Sequence, residues 1–426
     1  MFECVFDFSD AAGEGELRAV VERCERLKAQ AAAAQARATA LWAAKRAAAE
    51  DAAGIPAAKR GKGLASEVAL ARREAPIRGG RHLGFARALV HEMPHTLTAL
   101  EAGVLSEWRA TLIVRASACL SVEHRRELDA ELCADPSRLI GWGDARVEAE
   151  ATRITARLDA AAVVERGRRA VADPGVRVRP VSDTMAEVTV RLPMAQSVGI
   201  YAACKRAADT TFDDRSRGQV MADTVYERVT GRPADAAVPV TLNLVLADTT
   251  LFGGDDCPGY LAGYGPVPAA VVRHLLSNAV SDPRAKASLR RLYRHPDSGQ
   301  LVAMESRARL FPKGLAAYIG LRDQSCRTPY CNAAIRHHDH ATPARSGGHT
   351  TAVNGLGLCE ACNYAKEAAG WTVTTRETGG QHSAVFRTPT GATYESTAPP
   401  LPGPPPFRRS IVENGITIDL VTFDAA

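Results

Sequence analysis

An α+β fold is predicted for this 426-residue chain from three observations. Apolar residues recur at three- and four-residue steps over much of the first 170 positions, the period of amphipathic helices. Two stretches near 176–192 alternate apolar and polar residues, the period of strands. Two short-spaced cysteine pairs, Cys326 with Cys331 and Cys359 with Cys362, are the usual sequence form of a small zinc-stapled unit. The chain is thus read as a mostly helical N-terminal region with a small mixed sheet, then a metal-stapled module and an extended Pro-rich tail.

The elements follow in order. Residues 14–51 read as one long helix. Leu17, Val20, Val21, Cys24, Leu27, Ala31, Ala38, Leu41 and Trp42 give its face, and alanine favours helix intrinsically. This helix is read as a packing or dimerising element, the second reading making the protein a homodimer. Glycines and a proline break it at 54–63. Residues 64–172 are again helical, with Ser106 and Ser121 at N-cap positions and Leu105, Trp108, Leu112, Arg115 and Cys119 on one face. Asp173-Pro-Gly ends these helices, and strands follow at 176–180 and 186–192. Helices are expected at 194–209 and 215–230, a strand at 238–246, and a helix at 267–276 introduced by Gly263-Tyr-Gly-Pro. Trp371 to Arg376 and His382 to Arg387 read as strands. Residues 398–407 form a stiff Pro-rich linker, and Asn414-Gly415 marks a hairpin turn within 411–418.

Composition narrows the function classes. Apolar residues make up 46% and charged residues 24%, which excludes a disordered or collagenous chain. The apolar run 238–247 is too short to span a bilayer, and the N-terminus has no basic stretch followed by an apolar core. A cytoplasmic protein with no membrane partner is expected. The net charge is only +5, but residues 284–313 alone carry eight basic side chains against Asp297 and Glu305. A basic segment just before the cysteines suits contact with phosphates. No phosphate-binding glycine loop and no G-x-S-x-G turn is present.

The chemistry concentrates at 322–371. Four cysteines drawn to one tetrahedral Zn²⁺ close the intervening loop on itself. A strand at 335–340 then returns beside a helix starting near 359, which sets Asp339 and His340 opposite Asn363. Zinc replaces the hydrophobic core that about fifty residues cannot build. Oxygen ligands from Asp339 and Asn363 suit a hard ion, Mg²⁺ or Mn²⁺. An imidazole at His340 suits proton removal from an attacking water, so the set reads as one-metal phosphodiester hydrolysis.

The segment resembles the HNH (ββα-metal) endonuclease module in its zinc-bearing form. The resemblance is carried by Cys326 and Cys331, Asp339-His340, Gly347-Gly348, Asn354, Cys359 and Cys362, and then Asn363. It implies that Asp339 and Asn363 bind the catalytic metal, that His340 is the general base, and that Asn354 orients the loop. It also implies that Lys366 faces a phosphate. Asn363 stands where histidine is commoner. His337 and His338 stand where an acid and an aliphatic residue are usual, and are read as surface or packing residues, the alternative being that one of them is a spare metal ligand. Arg345, Arg307, Arg309 and Lys313 complete the expected DNA contacts. Upstream, residues 212–223, 263–268 and 291–300 are similar to an actinobacterial family in which a helical domain of unknown function, DUF222, precedes an HNH module (the 13E12 repeat group). The expected organisation is a long helix and linker at 1–62, the helical domain at 63–313, the nuclease module at 314–375, and strands, linker and hairpin at 376–426. The leading expectation is a metal-dependent DNA endonuclease. The alternative is a catalytically silent zinc-stapled DNA-binding or partner-binding protein, which needs the cysteines but not the Asp339, His340, Asn354 and Asn363 set.

Overall fold

The structure is a computed structural model. It describes residues 13–181, 185–234, 244–281, 301, 311 and 313–403, and the statements below concern these. No helix among them is long and apolar enough to cross a membrane. The chain divides into two compact units, Met1–Val176 with Val190–Ser197, and Arg177–Thr189 with Val198–Ala426.

The first unit is a helical bundle of α1 (Glu14–Ala52), α2 (Leu64–Ala71), α3 (Gly79–His91), α4 (Pro94–Glu101), α5 (Glu107–Ala116), α6 (Val122–Cys133), α7 (Asp144–Leu158) and α8 (Ala160–Val171). Ser106 and Ser121 cap α5 and α6, accepting from the amides of Arg109 and His124. The phase of α1 differs from the expected one. Its buried ridge is Ala29, Ala32, Ala33, Ala36, Ala40 and Ala43, whereas Leu17, Val21 and Leu41 are exposed. An alanine run gives little contrast between faces, so the few large residues misplace the stripe. Alanine is small enough to let α3 and α4 pack closely on this ridge, beside Leu89, Leu97 and Leu100. The α5 face is corrected likewise. Ala110, Leu112 and Ile113 are buried, Trp108 is exposed, and Leu105 and Cys119 lie outside the helix.

Next along the chain, β1 (Gly175–Pro180) and β2 (Ala186–Arg191) pair as a two-stranded ribbon. Nearly all of its residues are exposed, so the alternation there does not report a buried face. Helices α9 (Met194–Thr210) and α10 (Arg217–Thr230) follow. A capping box between Ser216 and Gln219 opens α10, and left-handed Gly231 closes it.

In the second unit, β3 (Leu244–Val245), the short α11 (Asp248–Leu251), β4 (Gly259–Leu261) and β5 (Gly265–Val267) precede α12 (Ala269–Ser281). The expected helix at 267–276 is corrected at its start. Gly263-Tyr-Gly-Pro is part of the β4–β5 hairpin, Gly263 having φ +82°, and Val267 ends β5. Of the strand expected at 238–246, Leu244 and Val245 lie in β3, and residues 238–243 lie outside the described residues.

The C-terminal part begins with α13 (Lys313–Asp323). Then come β6 (His337–His340), β7 (Gly355–Leu358), α14 (Glu360–Lys366), β8 (Thr372–Thr378), β9 (Gln381–Arg387) and β10 (Thr393–Thr397). β6 and β7 are antiparallel, with His337 opposite Leu358, Asp339 opposite Leu356 and His340 opposite Gly355. β8, β9 and β10 form an antiparallel sheet in which β9 is central, and β10 was not expected. Val373, Ala384 and Phe386 of this sheet share one core with the four cysteines, Leu356 and Leu358. The boundary expected at residue 375 therefore falls inside β8. The hairpin expected at 411–418, residues 404–407 of the linker, and the basic side chains between Arg284 and Arg309 lie outside the described residues.

Candidate metal centre and adjoining cleft

Cys326, Cys331, Cys359 and Cys362 converge. Their sulfurs lie within 4.8 Å of one another, all four residues are buried, and Cys331 and Cys359 Sγ are 3.9 Å apart. A tetrahedron with Zn–S bonds near 2.3 Å has edges of about 3.8 Å, so the group could hold a structural metal such as zinc. The local folding explains the convergence. The Cys326 amide donates to Ala333 O and the Cys331 amide to Thr328 O, closing the first pair into a tight turn. Tyr330 stands in that turn with φ +62°, a left-handed conformation uncommon for a large side chain. Cys359 is the N-cap of α14, and Cys362 lies in its first turn. Hydrogen bonds from Cys326, Cys331 and Cys362 hold the Cys359 thiol well below the ordinary thiol range, while hydrogen bonding to Cys326, Cys331 and Cys359 pushes Cys362 up. A divalent cation shared by the four sulfurs would favour the thiolate form of each.

A cleft of about 300 Å³ opens beside this centre, lined by Phe311, His338, Asp339, His340, Pro343, Ala344, Arg345 and Glu367. Asp339 and His340 end β6. Asp339 Oδ1 accepts from the His340 amide at 2.8 Å and lies 3.6 Å from His340 Nδ1. The other ring nitrogen, Nε2, is 2.9 Å from Thr350 Oγ1, and the ring packs 4.7 Å from Phe311. His340 is therefore held on three sides at the buried edge of the cleft, with little rotational freedom.

Asn354 closes the loop between β6 and β7. Its Oδ1 accepts from the Thr342 amide, and its Nδ2 donates to Thr342 O and His349 O. Thr350, the partner of His340, lies inside the loop so fixed. Gly347 has φ +88°, and a Cβ on Gly348 would lie 1.8 Å from Thr342 O and 2.8 Å from Asn354 Nδ2. The Gly-Gly pair is required here by a left-handed turn followed by close backbone approach.

The structure thus brings Asp339 and His340 together in one cleft with Arg345, and ties Asn354 to the loop behind them. Asn363 and Lys366 are not among the cleft-lining residues. Asn363 Oδ1 is buried with no hydrogen-bond partner. Lys366 is buried, its Nζ 2.9 Å from Asp339 Oδ2 and 2.5 Å from Glu367 Oε1. Arg345 is exposed and its guanidinium lies 2.6 Å from the other oxygen of Glu367. Burial pushes the Asp339 carboxyl up, but the Lys366 ammonium and the His340 amide outweigh it and hold the group below the usual carboxylate range. Lys313 is exposed at the start of α13; Arg307 and Arg309 lie outside the described residues. His338 lines the cleft with its imidazole pushed down by burial, His337 packs 6.3 Å from the Tyr364 ring, and His349 is exposed.

Sequence reasoning missed Thr350, Glu367 and a buried charge network. Arg322 Nη1 and Nη2 donate to the carbonyls of Ala352 and Gly355, on either side of Asn354. Asp323 binds both Arg322 and Arg327, and its Oδ2 also accepts from the Gly357 amide. Arg327 Nη1 reaches His382 Nδ1, whose Nε2 in turn lies 2.8 Å from Val353 O. This pattern makes Nδ1 the acceptor and Nε2 the donor in a neutral ring. Burial first, then the nearby Arg322, pushes the His382 imidazole down to about 4. The network joins α13, the first cysteine turn and the central strand β9 to the backbone around Asn354. A signal existed in the sequence: Arg322, Asp323 and Arg327 crowd Cys326, and charges that close to a buried ligand must be paired.

The chain belongs to the family described as domain of unknown function DUF222, whose sequence profile matches residues 18–323. The match ends just before Cys326, so it covers the helical region and not the cysteine module. No curated protein and no solved structure matches the chain.

Proposed function

We propose that the chain is an HNH-type, metal-dependent endonuclease that hydrolyses DNA phosphodiester bonds. In this reading the cysteine cluster carries a structural zinc, and a separate Mg²⁺ or Mn²⁺ serves catalysis. The observation that carries it is the pair at the end of β6. A carboxylate and an immobilised imidazole, 3.6 Å apart, face the same cleft beside a four-cysteine site. A purely structural zinc module has no need of that pair.

The donor set suits a hard cation. Asp339 Oδ2 already binds a cationic group, Lys366. Asn363 Oδ1 is an unpartnered buried acceptor one helical turn before Lys366. Residues three apart share a helix face, so Asn363 and Lys366 are neighbours on α14. Asp339 and Asn363 would hold the ion, which supplies polarisation of the scissile phosphate and neutralisation of the charge on the leaving oxygen. His340 removes the proton of the attacking water. In the tautomer whose Nε2–H donates to Thr350 Oγ1, Nδ1 is the nitrogen left to accept it. Asn354 fixes the loop that carries Thr350 and so keeps the ring from turning away. Lys313 and Arg345, with Arg307 and Arg309, supply phosphate contacts that position the duplex without reading its bases.

Plasmid nicking tests the reading. Wild type is expected to nick supercoiled DNA in the presence of Mn²⁺ or Mg²⁺, and His340→Ala to lose on the order of 10²–10⁴-fold in rate while keeping its zinc. Equal nicking by both proteins would remove His340 from the mechanism.

A further inference from the structure

Four charged side chains are joined by successive ion pairs, Asp339 to Lys366 to Glu367 to Arg345; Asp339, Glu367 and Arg345 line the cleft and Lys366 is buried. The Lys366 ammonium lies 2.9 Å from Asp339 Oδ2 and 2.5 Å from Glu367 Oε1, and Arg345 Nη2 lies 2.6 Å from Glu367 Oε2. The ends differ in exposure. The Lys366 side chain is 3% exposed, Asp339 and Glu367 are about one-third exposed at 34% and 31%, and Arg345 is 70% exposed. Glu367 follows the last residue of α14, as its C-cap, and lines the cleft with Asp339. Its two oxygens therefore hold a buried cation on one side and a surface cation on the other.

This arrangement bears on how a divalent ion reaches Asp339. An ion bound at Oδ2 would sit close to an ammonium already at hydrogen-bond distance from the same oxygen, and the two positive charges repel. Lys366 cannot simply leave, because a buried ammonium without a carboxylate is strongly unfavourable. Glu367 removes that difficulty, since it already binds Nζ. Lys366 can give up Asp339 and remain paired. After the exchange Lys366 and Glu367 form a neutral pair, and Arg345 adds one positive charge at the exposed side of Glu367.

We propose that Lys366 competes with a hard divalent cation for Asp339, and that Glu367 is the positioning residue that retains Lys366 when the cation binds. The inference rests on the reading of Asp339 as a metal ligand. It assigns Lys366 a role in the metal-free protein and Glu367 a role that acts through Lys366 and not on the ion.

Mn²⁺ binding to the full-length, zinc-loaded chain, followed by electron paramagnetic resonance of the free ion, tests it without any cleavage assay. Lys366→Met is expected to bind Mn²⁺ on the order of tenfold more tightly than wild type, because a competing charge is gone. Glu367→Gln is expected to bind several-fold more weakly, since Lys366 then has Asp339 as its only carboxylate. The double variant Lys366→Met/Glu367→Gln is expected to match Lys366→Met, the coupling that a role through Lys366 requires. If Lys366→Met lowers zinc content, Lys366→Gln carries the same comparison. Glu367→Gln binding like wild type overturns the proposal. So does a double variant weaker than Lys366→Met, which would make Glu367 a direct ligand. Asp339→Asn separates the two levels of the argument. Wild-type binding that this variant does not weaken overturns the metal reading itself, whereas Asp339-dependent binding that ignores Glu367 overturns the present inference alone.

Discussion

The helical bundle and the cysteine module close their cores with opposite materials. The bundle uses hydrocarbon: an alanine ridge on α1, and Leu89, Leu100, Ile113, Leu128 and Ile154 from the helices around it. Its buried polar groups are isolated clips. Asp129 caps α4 through the amides of His95 and Thr96, and Arg46 pairs with Glu67. The module has few large apolar side chains, Leu356, Leu358 and Phe386 among them, and fills its interior with four thiols and the Arg322–Asp323–Arg327–His382 network. Hydrocarbon packing spreads its contribution over many contacts and tolerates local loss. An ion and a charge network concentrate it in a few groups whose loss is not local. The candidate residues Asp339, His340 and Asn354 lie on elements that flank the second kind of core, where position is held by directional bonds.

Four measurements would separate the two kinds of core. Removal of the metal by a chelator, or Cys359→Ser, should unfold the module outright while the bundle keeps its helices, because structural zinc binding is itself folding free energy. Circular dichroism with zinc content reads this, and full zinc retention in Cys359→Ser would contradict it. Asp323→Asn should cost about 3–5 kcal/mol, since it leaves two buried guanidinium groups without their carboxylate. Denaturant melts of the module signal would detect it, and a loss below about 1 kcal/mol would argue that solvent reaches the network. In the bundle, Leu128→Ala should cost about 3 kcal/mol by leaving a cavity. Zinc content should be unchanged; a fall would link the two cores.

The fourth concerns pH. His382 is neutral in the fold, with its imidazole pushed from 6.5 to about 4. Above pH 6.5 neither the folded nor the unfolded ring holds the proton. Between pH 6.5 and 4 only the unfolded chain takes it up, so stability falls as pH falls through this window. The expected loss is about 2 kcal/mol between pH 7 and 5. His382→Gln should lack this part of the slope, whereas slopes equal to wild type would show that the ring is already solvated.

How much of this was legible in the sequence follows the same division. The cysteine pairs were readable because spacing alone carries them. Asp339-His340, the Gly-Gly turn and Asn354 were singled out by the resemblance, and they fold as near neighbours. The Ser106 and Ser121 caps were readable from local sequence. The phase of α1 was not, because alanine does not distinguish an inner from an outer face. Trp108 likewise looked like core and is exposed. The buried network was missed because Arg322, Asp323 and Arg327 are charged, and charged residues are read as surface until a partner is known. His382 Nδ1 lies 3.2 Å from Arg327, 55 positions away in sequence. Glu367 and Thr350 were missed because their roles depend on which side chains they meet, Lys366 and His340, and not on spacing.

In the proposed reading one ion folds the module and a second ion acts at Asp339. Relaxation of supercoiled plasmid by the zinc-loaded chain, with and without added Mg²⁺ or Mn²⁺, tests it most directly when wild type is set beside Asp339→Asn. Wild type is expected to nick only after Mg²⁺ or Mn²⁺ is added, and Asp339→Asn not at all although its zinc is retained. Equal nicking by the two proteins, or a zinc-loaded wild type that stays inert with both metals, would contradict it.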